Sequence, residues 1–182
     1  MNHAEHVALI RDGVPAPGGT WADFGSGQGA FTLALAELLG PEAQIWSIDR
    51  DARALRDQEM AVQVRFPATT LHTLVGDFTR GLAIPTLDGA VLANSLHFLG
   101  DAGKDTALGL IRRYLRPGGT LIVVEYNTDR GNTWVPHPFA YPTWSIIARR
   151  NGFADTRLIA RRPSRFLGEI YAAVSERPDT TR

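Results

Sequence analysis

The stretch 20–32, TWADFGSGQGAFT, decides the fold. Trp21, Ala22 and Phe24 read as the end of a buried strand, Gly25, Gly27 and Gly29 as a turn, and Ala30 to Leu39 (AFTLALAELL) as a helix. Strand, glycine turn and helix form the unit with which an α/β sheet holds a nucleotide-like ligand. Glycine tolerates positive φ, and without a Cβ it lets a ligand lie against the main chain. The N–H groups of the turn and the positive end of the helix dipole then face an arriving carboxylate or phosphate.

Gly25-x-Gly27-x-x-Ala30 also fits the dinucleotide pattern G-x-G-x-x-G/A. Asp23, two residues before the first glycine, argues against it, because a pyrophosphate would meet a nearby carboxylate unfavourably. A ligand with an ammonium and a sulfonium group, S-adenosylmethionine, would find that carboxylate welcome. D-x-G-x-G here resembles the first motif of the class I methyltransferase family. The resemblance implies cofactor contacts from Asp23, Gly25, Ser26 and Gly27.

Moving outward, Ala43 to Ile48 is an apolar run ending in Asp49, an acid about 20 residues past the glycines. Two oxygens on a short stem suit the vicinal hydroxyls of an adenosine ribose, so Asp49, with Arg50 beside it, is assigned to the cofactor. Asp51 is the expected N-cap of the next helix. That helix, Ala52 to Val64, is expected to turn Leu55, Met60 and Val62 to the sheet. Thr69 to Val75 reads as a third strand, and Asp77-Phe78 after it resembles the family's adenine contact; the other reading of Asp77 is an Asx-turn.

Leu87 to Ala93 reads as a fourth strand followed by Asn94, Ser95 and His97. Ligands gather outside the carboxyl ends of strands in such sheets, which places Asn94 at the cofactor and makes His97 a candidate general base or a packing residue. ANSLHFL resembles the small-molecule branch of the family; it lacks the N-P-P-Y type of amino-directed nucleic-acid methylation and the acid of magnesium-dependent catechol methylation. No metal is called for. After a helix over Ala102 to Leu115, LRPGG ends the helix and turns the chain into the strand Thr120 to Tyr126. The loop 127–142 that follows is long, stiffened by prolines and rich in aromatics. With Tyr126 it offers Arg130, Trp134 and His137 for an acceptor pocket, or a packed cover over the sheet edge.

A helix over Thr143 to Arg150 leads to two closing strands, Phe153 to Ala160 and Phe166 to Val174, whose short connection makes them antiparallel. The resemblance implies an α/β, doubly wound, mostly parallel seven-stranded sheet in the order 3-2-1-4-5-7-6, with an antiparallel strand near one edge. Residues 1–19 form an N-terminal segment that either lies over the site as a lid or frays. Residues 20–175 form one domain, and 176–182 a mobile tail.

Composition sets the bounds. The chain has 182 residues, 44% hydrophobic, with a formal net charge of +0 and no cysteine. Disulfides and thiolate metal sites are excluded, and no long-range pull toward nucleic acid or anionic membrane exists. Without a secretory signal or an apolar run near the roughly 20 residues of a membrane span, a cytoplasmic protein is expected. The implied activity is methyl transfer from S-adenosylmethionine to a small-molecule acceptor, the only partner called for. Two alternatives are a cofactor-binding partner subunit without turnover and an NAD(P)-dependent oxidoreductase. The latter lacks its machinery: Tyr114 has Gly118 rather than lysine four residues on, and Lys104, the single lysine, has no tyrosine four residues before it.

Overall fold

The structure is a computed structural model that describes residues 1–179. Seven strands form one sheet: β1 (Thr20–Phe24), β2 (Gln44–Asp49), β3 (Thr70–Val75), β4 (Leu87–Ala93), β5 (Leu115–Tyr126), β6 (Ala154–Ser164) and β7 (Gly168–Glu176). Their order is β3-β2-β1-β4-β5-β7-β6, as the sequence led us to expect. The first five run parallel, and β7 is antiparallel to both β5 and β6. Five helices accompany them: α1 (His3–Ile10), α2 (Ala30–Leu39), α3 (Ala52–Arg65), α4 (Asp101–Tyr114) and α5 (Tyr141–Arg150).

Side chains alternate across the strands, so each central strand feeds two cores. Trp21, Val91, Ile122 and Val174 pack with α1 and α2 on one face. Ala22, Phe24, Leu92, Val123 and Ala173 pack with α4 and α5 on the other. The reversal of strand order falls between β1 and β4, and this opens a crevice beyond their carboxyl ends.

Several local expectations need correction. Met60 lies 62% exposed, because α3 turns Ala54, Leu55, Gln58 and Val62 inward instead. LRPGG opens β5 rather than preceding it: Leu115 already pairs with Leu87, and the register shifts between Leu87 and Gly89. The last two strands run on to Ser164 and back from Gly168, so the basic connection is mostly strand. The N-terminal segment does not fray. Asn2 and Glu5 close a capping box on α1, and Val7, Leu9 and Ile10 are buried. The expected mobile tail begins inside β7, and Arg177 is anchored, its guanidinium bonding the carbonyls of Arg112 (2.9 Å) and Leu115 at the end of α4. The rest of that expectation, residues 180–182, lies outside the described residues.

Candidate active site

The glycine turn is shaped by the backbone it must leave clear. At Gly25 (φ +73°) a Cβ would stand 2.6 Å from that of Ser95; at Gly27 (φ +52°) it would meet nothing within 4 Å, because this glycine faces open space. Both angles favour glycine. Four N–H groups of the turn are already engaged. Gly25 and Ser26 donate to the Ile48 carbonyl (2.8 and 3.1 Å), Gly27 to the Asp49 carboxylate (2.8 Å), and Gly29 to the Ser26 carbonyl (2.9 Å).

Beneath the turn lies a group that sequence reasoning missed. Gln58 of α3 is 1% exposed, and its amide donates to Ser26 Oγ (3.0 Å) and the Gly27 carbonyl (3.1 Å). Its Oε1 accepts from Ser47 Oγ at 2.7 Å. A Cβ on Gly29 would run into Gln58 at 2.6 Å, so glycine and glutamine define each other's position. A polar residue on the inner face of an otherwise amphipathic helix was the available signal.

The turn walls a cavity of about 490 Å³ bounded by Gly25 to Gln28, Asp49, Arg50, Gly76, Phe78, Asn94 and Ser95, with Met1 and His6 of the N-terminal segment at its edge. Asp49 ends β2 with both oxygens bonded, one to Gly27 N–H and the other to Asp51 N–H (2.9 Å). Asp51 caps α3 by accepting from Arg53 and Ala54. Asn94 has positive φ (51°), and its Oδ1 is buried without a partner. A second cavity of about 560 Å³ shares Met1 and Asn94 with the first and is otherwise walled by Glu5, Tyr126, Ile170 and residues 163–166.

The structure therefore brings Gly25, Ser26, Gly27, Asp49, Arg50, Phe78 and Asn94 to one cavity, and Tyr126 to its neighbour. Six other expected site residues line neither cavity. Asp23 is wholly buried behind the turn, where Thr32 Oγ1 donates to it at 2.8 Å; burial raises its carboxyl to about 7. It lines neither cavity. Asp77 forms the Asx-turn: Oδ1 takes the N–H and hydroxyl of Thr79, and Oδ2 takes Arg50 at 2.6 Å. The Thr79 bonds, then Arg50, hold that carboxyl at about 2 despite partial desolvation.

His97 is 3% exposed and lines neither cavity; its Nδ1 lies 2.9 Å from the carboxylate of buried Glu125, which also accepts the Tyr126 N–H. Arg130, Trp134 and His137 stand on the outer surface of their loop. The loop is a packed cover, because Val135, Pro138 and Phe139 are buried. Lys104, the single lysine, donates to the His137 carbonyl (2.8 Å), and the His137 N–H donates to the His97 carbonyl (2.9 Å).

A family model described as a methyltransferase domain matches residues 22–121, from β1 into β5. The chain belongs to the methyltransferase-domain family. The match runs through the glycine turn, Asp49, Gln58 and Asn94, so these site residues fall within the family's domain. The chain is 30% identical over 133 residues to the ubiquinone/menaquinone biosynthesis C-methyltransferase UbiE of Burkholderia mallei, an alignment covering 71% of this chain and 51% of that one. It thus spans about half the length of the curated relatives it matches.

Solved structures share the fold. A SAM-dependent methyltransferase from Methanosarcina mazei superposes with a TM-score of 0.74 at 16% identity, covering 93% of this chain and 97% of that one. The 1,6-didemethyltoxoflavin-N1-methyltransferase of Burkholderia thailandensis, solved with 1,6-didemethyltoxoflavin and S-adenosylhomocysteine bound, gives 0.75 at 17% identity over 97% and 78%. Among the described residues no helix is long and apolar enough to cross a membrane.

Proposed function

We propose that this methyltransferase-family chain binds S-adenosylmethionine in the glycine-turn cavity and moves its methyl group to a small-molecule acceptor. One observation carries the reading. The N–H groups of Gly25, Ser26, Gly27 and Gly29 are bonded within the protein, and Gly27's goes to a carboxylate. A dinucleotide needs such groups free for its diphosphate. This turn instead presents an acid and an open glycine face, which suit a cationic amino acid joined to a ribose. Asp49, beside the turn, and not the buried Asp23 is the carboxylate that supports this ligand.

The residues present fit the cofactor. Asp49 would hold the ribose hydroxyls with the lone pairs that its two N–H partners leave free. The bare face of Gly27 would admit the cofactor against the main chain, and Phe78 with Gly76 would flank the base. The unpartnered Oδ1 of Asn94 would accept from its amino group.

The bound cofactor supplies an activated methyl group, which an acceptor lone pair takes as the carbon–sulfur bond breaks and its electrons return to sulfur. The chain's contribution is alignment and exclusion of water, effects worth up to ~7–11 kcal/mol in well-oriented systems. His97, paired with Glu125 under the surface, braces the floor through the Tyr126 main chain rather than touching an acceptor. The N-terminal segment, with Met1 and His6 at the cavity edge, covers the site from one side.

Calorimetric titration tests the reading. S-adenosylhomocysteine is expected to bind with one-to-one stoichiometry and NADH not to bind. Uptake of NADH in its place would overturn the assignment. Transfer of labelled methyl to a panel of small acceptors then separates an enzyme from a cofactor-binding partner subunit.

A further inference from the structure

The larger cavity has no role in cofactor binding as assigned above, yet it meets the cofactor cavity at Asn94 and Met1. Besides Met1, Glu5 and Asn94, its walls come from two places. Tyr126 stands at the carboxyl end of β5, and the far side is the β6–β7 hairpin with Pro163, Arg165 and Phe166. The Tyr126 and Phe166 rings lie 5.7 Å apart at 58°, an open aromatic corner into which a third flat ring packs. Phe166 is 49% exposed, an apolar group presented without a covering side chain.

The charges around this corner are unequal in freedom. Glu5 is engaged by the capping box, its Oε2 accepting the Asn2 N–H at 2.7 Å. Arg161 and Glu169, on the paired strands nearby, face each other at 3.8 Å. Glu125 is buried behind Tyr126 with His97 as its partner. Arg165 has neither an ion pair nor a side-chain hydrogen bond among the described residues, and it lines the cavity.

We propose that this cavity is the acceptor site, and that it takes a planar aromatic molecule carrying one anionic group, the ring in the Tyr126–Phe166 corner and the anion on Arg165. The inference rests on the methyl-transfer reading for its name, but the binding it describes is independent of it. Guanidinium pairs with a carboxylate through two parallel hydrogen bonds that an ammonium cannot match. Asn94 forms the shared wall, so an acceptor held there lies next to the cofactor's cavity without crossing the turn.

The test uses 2-naphthoate and its neutral isostere 2-naphthamide, titrated calorimetrically into the full chain saturated with S-adenosylhomocysteine. Naphthoate is expected to bind about tenfold or more tightly than naphthamide. Arg165→Gln is expected to remove that gap, Phe166→Ala to weaken both probes, and Arg149→Gln, on α5, to change neither. S-adenosylhomocysteine affinity should be the same in all four proteins. Equal affinity for the two probes, or a gap that survives Arg165→Gln, overturns the proposal. Should S-adenosylhomocysteine fail to bind while the naphthoate gap and its loss persist in the apo chain, the cofactor reading falls and the anion site stands.

Discussion

Gly27 donates its main-chain N–H to the carboxylate of Asp49 across 2.8 Å, tying the turn after β1 to the end of the neighbouring strand β2. The bond links the shape of the turn to the charge beside it. Asp49→Ala removes both the acceptor for the turn and the acceptor for a ribose diol. Calorimetry should show S-adenosylhomocysteine affinity reduced at least about tenfold, the loss of one charge-assisted bond or more. Unchanged affinity would exclude Asp49 from the site.

Gln58 reaches the same turn from below through Ser26, Gly27 and Ser47. Gln58→Leu fills a similar volume but takes the side-chain donor from the Gly27 carbonyl and one partner each from Ser26 and Ser47, which still bond each other at 2.7 Å; a buried polar group left unpaired costs about 1–3 kcal/mol. Both a lower melting temperature and weaker S-adenosylhomocysteine binding are expected, whereas Gln58→Glu should recover part of the first and little of the second. A Leu variant that melts normally and binds normally would show that the glycines hold their shape unaided.

Legibility followed the range of the interaction. The unit from Thr20 to Leu39 was readable because strand, turn and helix are each fixed by residues close in sequence, and the observed bounds of β1 and α2 match. The sheet order was readable from the family resemblance. Side-chain destinations were not. Whether Asp23 or Asp49 faces the cavity depends on which side of a pleat each occupies, and Thr32 in the first turn of α2 takes Asp23 inward. Arg130, Trp134 and His137 have binding chemistry, but Lys104 and Asn132 pin their loop with these side chains outward. Gln58 lies 31 residues from the Gly27 it supports, and the hairpin cavity with Arg165 draws on a segment far beyond LRPGG, where no spacing rule applies.

Asp23 gives a pH dependence with a definite sign. Its carboxyl ionises at 3.8 when unfolded and at about 7 in the folded protein, where burial opposes the charge and Asp49 adds repulsion, while the Thr32 bond lowers it in part. Between those values the folded state holds the extra proton, so stability falls as pH rises from about 4 to about 7 and levels off above. A shift of that size corresponds to roughly 4 kcal/mol. Asp23→Asn mimics the neutral acid. Its melting temperature should draw ahead of the parent's steadily across that window and keep a constant lead beyond it; a difference that does not vary with pH would refute the assignment.

His97 and Glu125 form a buried pair in which each needs the other. Removing one partner strands a charge or a polar ring in the core, a change that costs about 3–5 kcal/mol where the remaining group is ionised. His97→Ala should lower the denaturation midpoint strongly and leave S-adenosylhomocysteine affinity nearly intact in the fraction that stays folded. Glu125→Gln, which keeps acceptors for the His97 ring and the Tyr126 N–H, should be milder. If His97→Ala abolishes turnover without a stability change, the ring reaches the acceptor after all.

Arg177 is held by both its main chain and its side chain. Its N–H donates to the Gly119 carbonyl and its carbonyl accepts from Gly118, both at 2.8 Å, extending the sheet edge beyond β7. Its guanidinium meets the last carbonyls of α4, whose N–H partners the helix does not supply, and a cation there also opposes the negative end of the helix dipole. Arg177→Ala loses both contributions, about 1–2 kcal/mol together, which in a chain of this size lowers the melting temperature by roughly 3–6 °C. Arg130→Ala, at an exposed position with no side-chain bond among the described residues, is the comparison and should leave it unchanged. Equal melting temperatures for the two variants would return Arg177 to the tail; the expected gap moves the edge of the domain past it.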